Sequence, residues 1–186
     1  ASATGILGYY LASWFDLEGL TYITAQFERL ILFTFPVLVA ILNFFIFKIS
    51  LPRQAIIPMI LTYVGLAIIF THDLQTFGYN VITGALLVGG AALFFSFYFV
   101  LSKPLITRLG SRLFTSIAMS AASVMIILHF LILKDFSDLI LPHQVYITAL
   151  AIALIATVLP AFLINEAIAR LGSQKTSIVG TIGPVF

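Results

Sequence analysis

A succession of apolar stretches, each about as long as a bilayer is thick, constrains this chain more than any other feature. A helix needs about 20 apolar residues to cross the hydrocarbon core of a membrane. Hydrophobic residues make up 61% of the 186 residues and charged residues only 9%, against about 25% charged residues in soluble domains. The sequence therefore predicts an all-α polytopic membrane protein, a bundle of about seven helices.

The apolar stretches divide at charged residues, glycines and prolines. We expect helices over residues 5–15, 22–47, 55–70, 81–101, 113–133 and 145–169, and a seventh that begins near Thr176. Because the chain opens inside an apolar helix and stops inside another, we expect the first and last helices to be truncated and the sequence to be a fragment. Neither a cysteine nor a basic run suited to nucleic acid occurs, and no cofactor or metal site is predicted.

Basic residues lie on alternate junctions between the predicted helices. The junctions after the second, fourth and sixth helices hold Lys48, Arg53, Lys103, Arg108, Arg112, Arg170 and Lys175. The other three junctions are mainly acidic and hold a single basic residue, Lys134. Loops rich in Lys and Arg stay on the cytoplasmic side of a membrane. We therefore expect the basic junctions to be cytoplasmic.

The pattern Gln-x9-Pro-Val occurs twice, from Gln26 and from Gln174, at an offset of 148 residues. Extended upstream, the same offset aligns further identical residues without a gap. The two copies lie five predicted helices apart, and an odd shift inverts the second copy in the bilayer. The sequence thus predicts two inverted repeats, over residues 1–71 and 80–186. Inverted repeats are a transporter architecture, with the substrate site near the midplane of the membrane.

Two segments carry a resemblance to a known family: residues 19–42, GLTYITAQFERLILFTFPVLVAIL, and residues 164–186, INEAIARLGSQKTSIVGTIGPVF. On these segments the chain resembles the EamA domain of the drug/metabolite transporter superfamily. The resemblance implies two five-helix repeats in a bacterial inner (plasma) membrane, with both termini in the cytoplasm. This chain would correspond to about the third through ninth helices. The resemblance also implies transport of small metabolites. One departure is Lys48, which stands where the family often has an acidic residue.

Polar residues inside the second predicted helix are the leading candidates for a substrate or gating site. Glu28 and Arg29 lie about two turns inside it, where an ionisable group costs at least about 2.5 kcal/mol. Because neighbours on a helix diverge by about 100°, each is expected to need a separate partner or a polar cavity. Arg29, Pro36 and Asn43 recur every seven residues and form one polar stripe with Gln26, which we expect to face the central cavity. The alternative is a structural role for Glu28 and Arg29 near the outer interface.

Three further candidates come from the repeat and from an aromatic run. Gln174 and Pro184 repeat the Gln and Pro of the second helix, and paired proline kinks would give two gates. A static bend for packing is the alternative. Tyr98 belongs to an aromatic run on the fourth predicted helix, part of which could line a cavity. Small residues on the same helix, such as Gly84, predict close helix packing instead.

The favoured function is a secondary transporter of small metabolites that works by alternating access. An Arg in the midplane pocket would suit anionic solutes, and its apolar surroundings would suit amino acid-like or other amphipathic ones. A non-transporting membrane scaffold or sensor subunit is the alternative. An enzyme is not expected, because the sequence lacks the patterns of intramembrane proteases and of an ATP-binding loop. The expected partners are a small-molecule solute and the lipid bilayer, and a homodimer is left open.

Overall fold

The computed structural model describes residues 1–49 and 80–180, together with residues 60, 64, 65, 67, 68 and 71. Within this part of the chain, every regular element is a helix. The candidate Pro184 lies outside the described residues, and so does most of the helix expected over residues 55–70.

Six helices form the described bundle. They are α1 (residues 2–19), α2 (Ala25–Phe47), α3 (Asn80–Leu109), α4 (Ser111–Leu133), α5 (His143–Leu171) and α6 (Ser173–Gly180). A short 3-10 turn, Phe136–Leu139, joins α4 to α5.

Four of these helices, α2 to α5, are long and apolar enough to cross a membrane, judged by length and composition. This confirms the predicted all-α polytopic helix bundle. The apolar spans of α4 and α5 are largely exposed, with 11% and 6% of their residues buried inside the structure. Surfaces of this kind suit a lipid environment, because an exposed apolar face of this length would be unfavourable in water.

The helix α3 is longer than its sequence predicts, because it continues through Pro104 although we expected it to end at Leu101. A proline costs a helix one backbone hydrogen bond. The end of α3 is anchored on α5, since Lys103 Nζ donates to the carbonyls of Ile168 and Ala169 at 3.1 and 2.6 Å. These carbonyls belong to the last turn of α5, where backbone partners run out; that of Ile168 also accepts from the N–H of Gly172 at 3.0 Å.

The core lies around α3, which packs against all five other helices of the described bundle. Its buried centre joins Tyr98 of α3 to Val39, Phe114 and Ile168 of α2, α4 and α5. Small residues on α3 allow neighbouring segments to approach it closely. A Cβ atom on Gly84 would lie 2.6 Å from Cγ2 of Ile23, which confirms the close packing predicted at this glycine.

The two segments related by the 148-residue offset have the same order of local structures. In α1, the π-helical segment Ile6–Leu11 precedes an α-helical segment, and α2 then begins at Ala25. In α5, the π-helical segment Ile152–Val158 precedes an α-helical segment, and α6 then begins at Ser173. Ser173 lies 148 residues after Ala25, so the starts of α2 and α6 coincide under the offset. The division of the chain into two repeats stays a prediction, and this correspondence is what a duplication would produce.

Candidate solute site

A cavity of about 320 Å³ lies between α1, α2 and α3. We call it the acidic cavity. Its lining includes Tyr9, Ser13 and Asp16 of α1, Leu32, Phe33 and Phe35 of α2, and Phe95 of α3. The space exists because the residues between them are small, namely Ala12 of α1 and Ala91 and Ala92 of α3. A largely apolar cavity of this size with few polar groups is typical of small-molecule sites.

Both α1 and α2 depart from regular α-helix where they line the acidic cavity. In α1, Tyr9 lies in the π-helical segment. In α2, the helix is interrupted between Leu32 and Phe35, because Pro36 has no N–H to donate to the carbonyl of Leu32. Pro36 is the second residue of the segment that follows, a position where an N–H would lack a partner within the helix anyway. The proline therefore shapes this wall of the cavity, although it does not line the cavity itself.

Three charged side chains meet where α1 and α2 approach each other beside the acidic cavity. The carboxyl groups of Asp16 and Glu28 are within hydrogen-bonding distance. Glu28 is 4% exposed, and its Oε2 lies 3.6 Å from Nε of Arg29, whose side chain is 74% exposed. Glu28 and Arg29 thus contact each other although they are adjacent on one helix, and Glu28 has Asp16 as a further partner. A long arginine side chain can reach its sequence neighbour although the two Cα–Cβ bonds diverge.

Asp16 is the residue that sequence reasoning missed. The predicted first helix ended at Phe15 and left Asp16 in the following junction, whereas α1 continues beyond both residues. The Oδ1 atom of Asp16 is buried and has no hydrogen-bond partner within the described part of the chain. The available signal was the spacing of Tyr9, Ser13 and Asp16 at i, i+4 and i+7, which puts them on one helix face.

A hydrogen-bonded network of buried groups adjoins the acidic cavity. The hydroxyl of Tyr98 lies 2.9 Å from the hydroxyl of Tyr9, which lines the cavity. It also donates to Oδ1 of Asn165 at 2.8 Å and accepts from Nδ2 of the same amide at 2.6 Å. Tyr98 and Asn165 are fully buried. The network thus joins α1, α3 and α5. The candidate Tyr98 acts on the cavity through Tyr9, because it is not itself a lining residue.

Each tyrosine hydroxyl in this network has one proton to donate. Where Tyr98 donates to Oδ1 of Asn165, Tyr9 donates to Tyr98. Where Nδ2 of Asn165 donates to Tyr98, Tyr98 can donate to Tyr9 instead. In both arrangements the Tyr9 oxygen keeps a lone pair that can accept a further hydrogen bond.

A second cavity of about 430 Å³ lies at the other end of α2, beside the ends of α3 and α5 and the start of α6. We call it the basic cavity, because Lys103 and Lys175 line it. The candidates Asn43 and Gln174 meet here. Asn43 is buried, and its Nδ2 donates to Ser173 Oγ at 3.3 Å. The Nε2 of Gln174 is buried without a partner among the described residues.

The predicted polar stripe on α2 is divided between different environments. Gln26 and Arg29 are exposed and line an open depression of about 440 Å³. Asn43 faces the basic cavity, and Pro36 lines none of these three spaces. The interruption of α2 breaks the helical register between Arg29 and Asn43, which is why their spacing of two turns does not bring them to one site.

The fold and the acidic cavity define a class, that of multi-pass membrane proteins with a solute-sized space between their helices. The sequence model of the EamA-like transporter family matches residues 82–186 of this chain, which is more than half of it. The chain belongs to the EamA-like transporter family. This confirms the resemblance to the EamA domain that its sequence suggested.

A relative from Bacillus subtilis (strain 168), described as "Uncharacterized transporter YcbK", is 25% identical over 198 aligned residues. The alignment covers all of this chain and 61% of the relative, so the chain spans less than two thirds of that protein's length. No solved structure matches the chain. The comparisons agree in describing a membrane transporter.

Proposed function

We propose that the protein is a secondary transporter that moves small amphipathic solutes through the membrane by alternating access. The observation that carries this proposal is the acidic cavity, a space of about 320 Å³ between three helices with aromatic walls and one carboxylate. Aromatic and aliphatic walls suit the apolar part of an amphipathic solute, and the polar groups of α1 suit its polar part. Nothing in this chemistry requires a bond to be broken, and we infer a protein without enzymatic activity.

Irregular helices beside the cavity support a gating mechanism. Transporters that work by alternating access use discontinuous helices around the substrate site. The interruption of α2 before Pro36 and the π-helical segment of α1 both border the acidic cavity. The matching π-helical segment of α5 lies in the part of the chain that we assign to the second, inverted repeat. Rocking of the two repeats about such irregular segments would open the cavity to one side of the membrane at a time.

The orientation follows from the charges at the helix ends. The basic cavity lies among the Lys- and Arg-rich ends of α3 and α5, which the positive-inside rule assigns to the cytoplasm of a bacterial cell. The acidic cavity then lies in the half of the bundle nearer the outside. Anionic solutes, which Arg29 suggested, would have to bind in the open depression, since Arg29 does not line the acidic cavity.

The proposal is tested by solute flux into proteoliposomes that contain the full-length protein, with a panel of labelled amines, amino acids and carboxylates. Ala91→Phe should fill the acidic cavity and lower the flux at least about tenfold. The control Ala149→Phe, on the exposed face of α5, should leave the flux within about twofold. Equal flux through the Ala91→Phe protein, or no flux of any solute, would contradict the proposal. Stabilisation by a solute that is not transported would favour a sensor subunit instead.

A further inference from the structure

We infer that the acidic cavity binds a small organic ammonium ion, with its nitrogen at Asp16 and its apolar body against Phe33, Phe35 and Phe95. This inference rests on the proposed function, because it names the class of solute that the same cavity would carry. Four properties of the cavity support it: its charge, the direction of its hydrogen bonds, its aromatic walls and its unpaired carboxylate oxygen.

The charge of the site is negative among the described residues. Asp16 and Glu28 are two carboxyl groups in contact, and Arg29 is the one basic residue beside them. Arg29 lies 3.6 Å from Glu28 and leaves Asp16 without a direct cationic partner. The segment of α3 that faces the cavity carries no charged residue between Asn80 and Leu101. With both carboxyl groups ionised the site would carry one net negative charge, which either a proton or a solute cation would neutralise.

The hydrogen-bonding groups of the cavity are mainly acceptors. Asp16 Oδ1 is buried and unpartnered among the described residues. The Tyr9 hydroxyl also lines the cavity, and its oxygen keeps a lone pair that can accept a hydrogen bond from a solute. Ser13 is the remaining polar lining residue, and its hydroxyl can accept as well as donate. An ammonium group has donors and no acceptor, so it matches this set, whereas a carboxylate or phosphate solute would face lone pairs and a like charge.

The aromatic walls favour the same class of solute. Phenyl rings attract cations at their faces, most strongly where water is excluded. Phe33, Phe35 and Phe95 also provide apolar surface for the body of the solute. A cavity of about 320 Å³ suits an amine of modest size.

A proton should compete with the ammonium ion. Two carboxyl groups in contact cannot both be ionised without a proton or a cation between them. The other titratable and charged groups that face the pair are Arg29 from α2 and, across the cavity, Tyr9 from α1 with Tyr98 behind it on α3. At low pH the proton occupies the pair, and at higher pH the ammonium ion can replace it. Exchange of one cation for the other would couple amine movement to a proton gradient.

The test compares three solutes of the same shape, phenethylamine, phenethyl alcohol and phenylacetate, for binding to the purified full-length protein by calorimetry. Phenethylamine should bind at least about tenfold more tightly than the other two, and its affinity should fall as the pH is lowered. Preference for phenylacetate or phenethyl alcohol, or affinity that rises at low pH, would overturn the inference. The comparison needs no variant and is therefore independent of any folding defect.

Two variants locate the binding. Asp16→Asn should weaken phenethylamine binding at least about tenfold, while Glu18→Gln, two residues further along α1 and exposed, should leave it within about twofold. Equal affinity of the Asp16→Asn protein would overturn the inference. If proteoliposomes transport other solutes from the panel but phenethylamine neither binds nor moves, this inference fails and the proposed transport function stands. If no solute moves at all, the proposed function itself fails.

Discussion

The acidic and basic cavities differ in charge and in how their walls are joined. The acidic cavity is lined by Asp16 and three phenylalanines, and Oδ1 of Asp16 has no hydrogen-bond partner among the described residues. The walls of the basic cavity are cross-linked, because Asn43 of α2 reaches Ser173 of α6 and Lys103 of α3 reaches the end of α5. Its unpartnered polar atom among the described residues is a donor, Nε2 of Gln174.

The unpaired atoms match the charges of the two cavities, because a carboxylate oxygen accepts hydrogen bonds whereas an amide N–H donates them. Both cavities lie beside contacts between helices. The buried network of Tyr9, Tyr98 and Asn165 joins α1 and α3 to α5 beside the acidic cavity, and Lys103 joins α3 to α5 at the basic cavity.

The largest effect on the free energy of unfolding is expected from the hydrogen bonds of Lys103 at the basic cavity. Lys103→Met removes a charged donor from two carbonyls of α5 and should lower the free energy of unfolding by about 2–3 kcal/mol, since hydrogen bonds from charged groups contribute about 1.5–3 kcal/mol. The measurement is thermal unfolding of the purified protein in detergent. Lys134→Met, at the exposed end of α4, is the matched control with an expected change within about 0.5 kcal/mol. Equal stability of the two variants would show that Lys103 does not stabilise the contact between α3 and α5.

A smaller effect on the free energy of unfolding is expected when the hydrogen-bonded network beside the acidic cavity is broken. Tyr98→Phe removes the hydroxyl that joins Tyr9 to Asn165 and leaves a buried amide without its partner. The free energy of unfolding should fall by about 1–2 kcal/mol. The control Tyr146→Phe removes an exposed hydroxyl of α5 that donates to the carbonyl of Leu139. Because water can replace that exposed hydrogen bond, the free energy of unfolding should change by less than about 0.5 kcal/mol. A Tyr98→Phe protein as stable as the wild type would show that the network does not stabilise the helices around the acidic cavity.

The smallest effect on the free energy of unfolding is expected from a substitution of Arg29, which lines the open depression. The Arg29 side chain is 74% exposed although that of Glu28 is buried, so water screens the pair and its contribution should be about 0–1 kcal/mol. Arg29→Gln should therefore fold normally and keep its transport activity. Because the variant makes the acidic site more negative, phenethylamine should bind slightly more tightly. Solute flux and phenethylamine binding are measured on the variant protein. Complete loss of transport at normal abundance would indicate that Arg29 is part of the substrate site.

The sequence was sufficient to predict which segments form membrane helices, but less so to predict where those helices end. Long apolar stretches leave few alternatives to a spanning helix, which is why α2, α4 and α5 begin and end within a few residues of their predicted bounds. The end of α3 was missed because Pro104 suggests a helix break, and what fixes that end is a contact with α5, more than 60 residues away in sequence.

The candidate site was predicted only in part. Glu28 was identified because it was predicted to lie about one and a half to two turns inside an apolar helix, but α2 begins at Ala25 and puts Glu28 in its first turn. The structure places it in contact with Asp16 beside the acidic cavity. Asp16 was assigned to a junction, and Tyr9 and Asn165 carry no local signal that links them to Tyr98. Such links depend on how α1, α3 and α5 pack, and helical periodicity within one helix contains no information about packing between helices.

The most direct test of the central claim is protection of single cysteines in the full-length protein, made free of other cysteines. Ala12→Cys lies in the acidic cavity and Gln174→Cys in the basic cavity. The account predicts that a transported solute slows maleimide labelling of Ala12→Cys, because both need the same space. Labelling of Ala12→Cys that is unaffected by any transported solute, with protection of Gln174→Cys instead, would contradict the claim that the acidic cavity binds the solute.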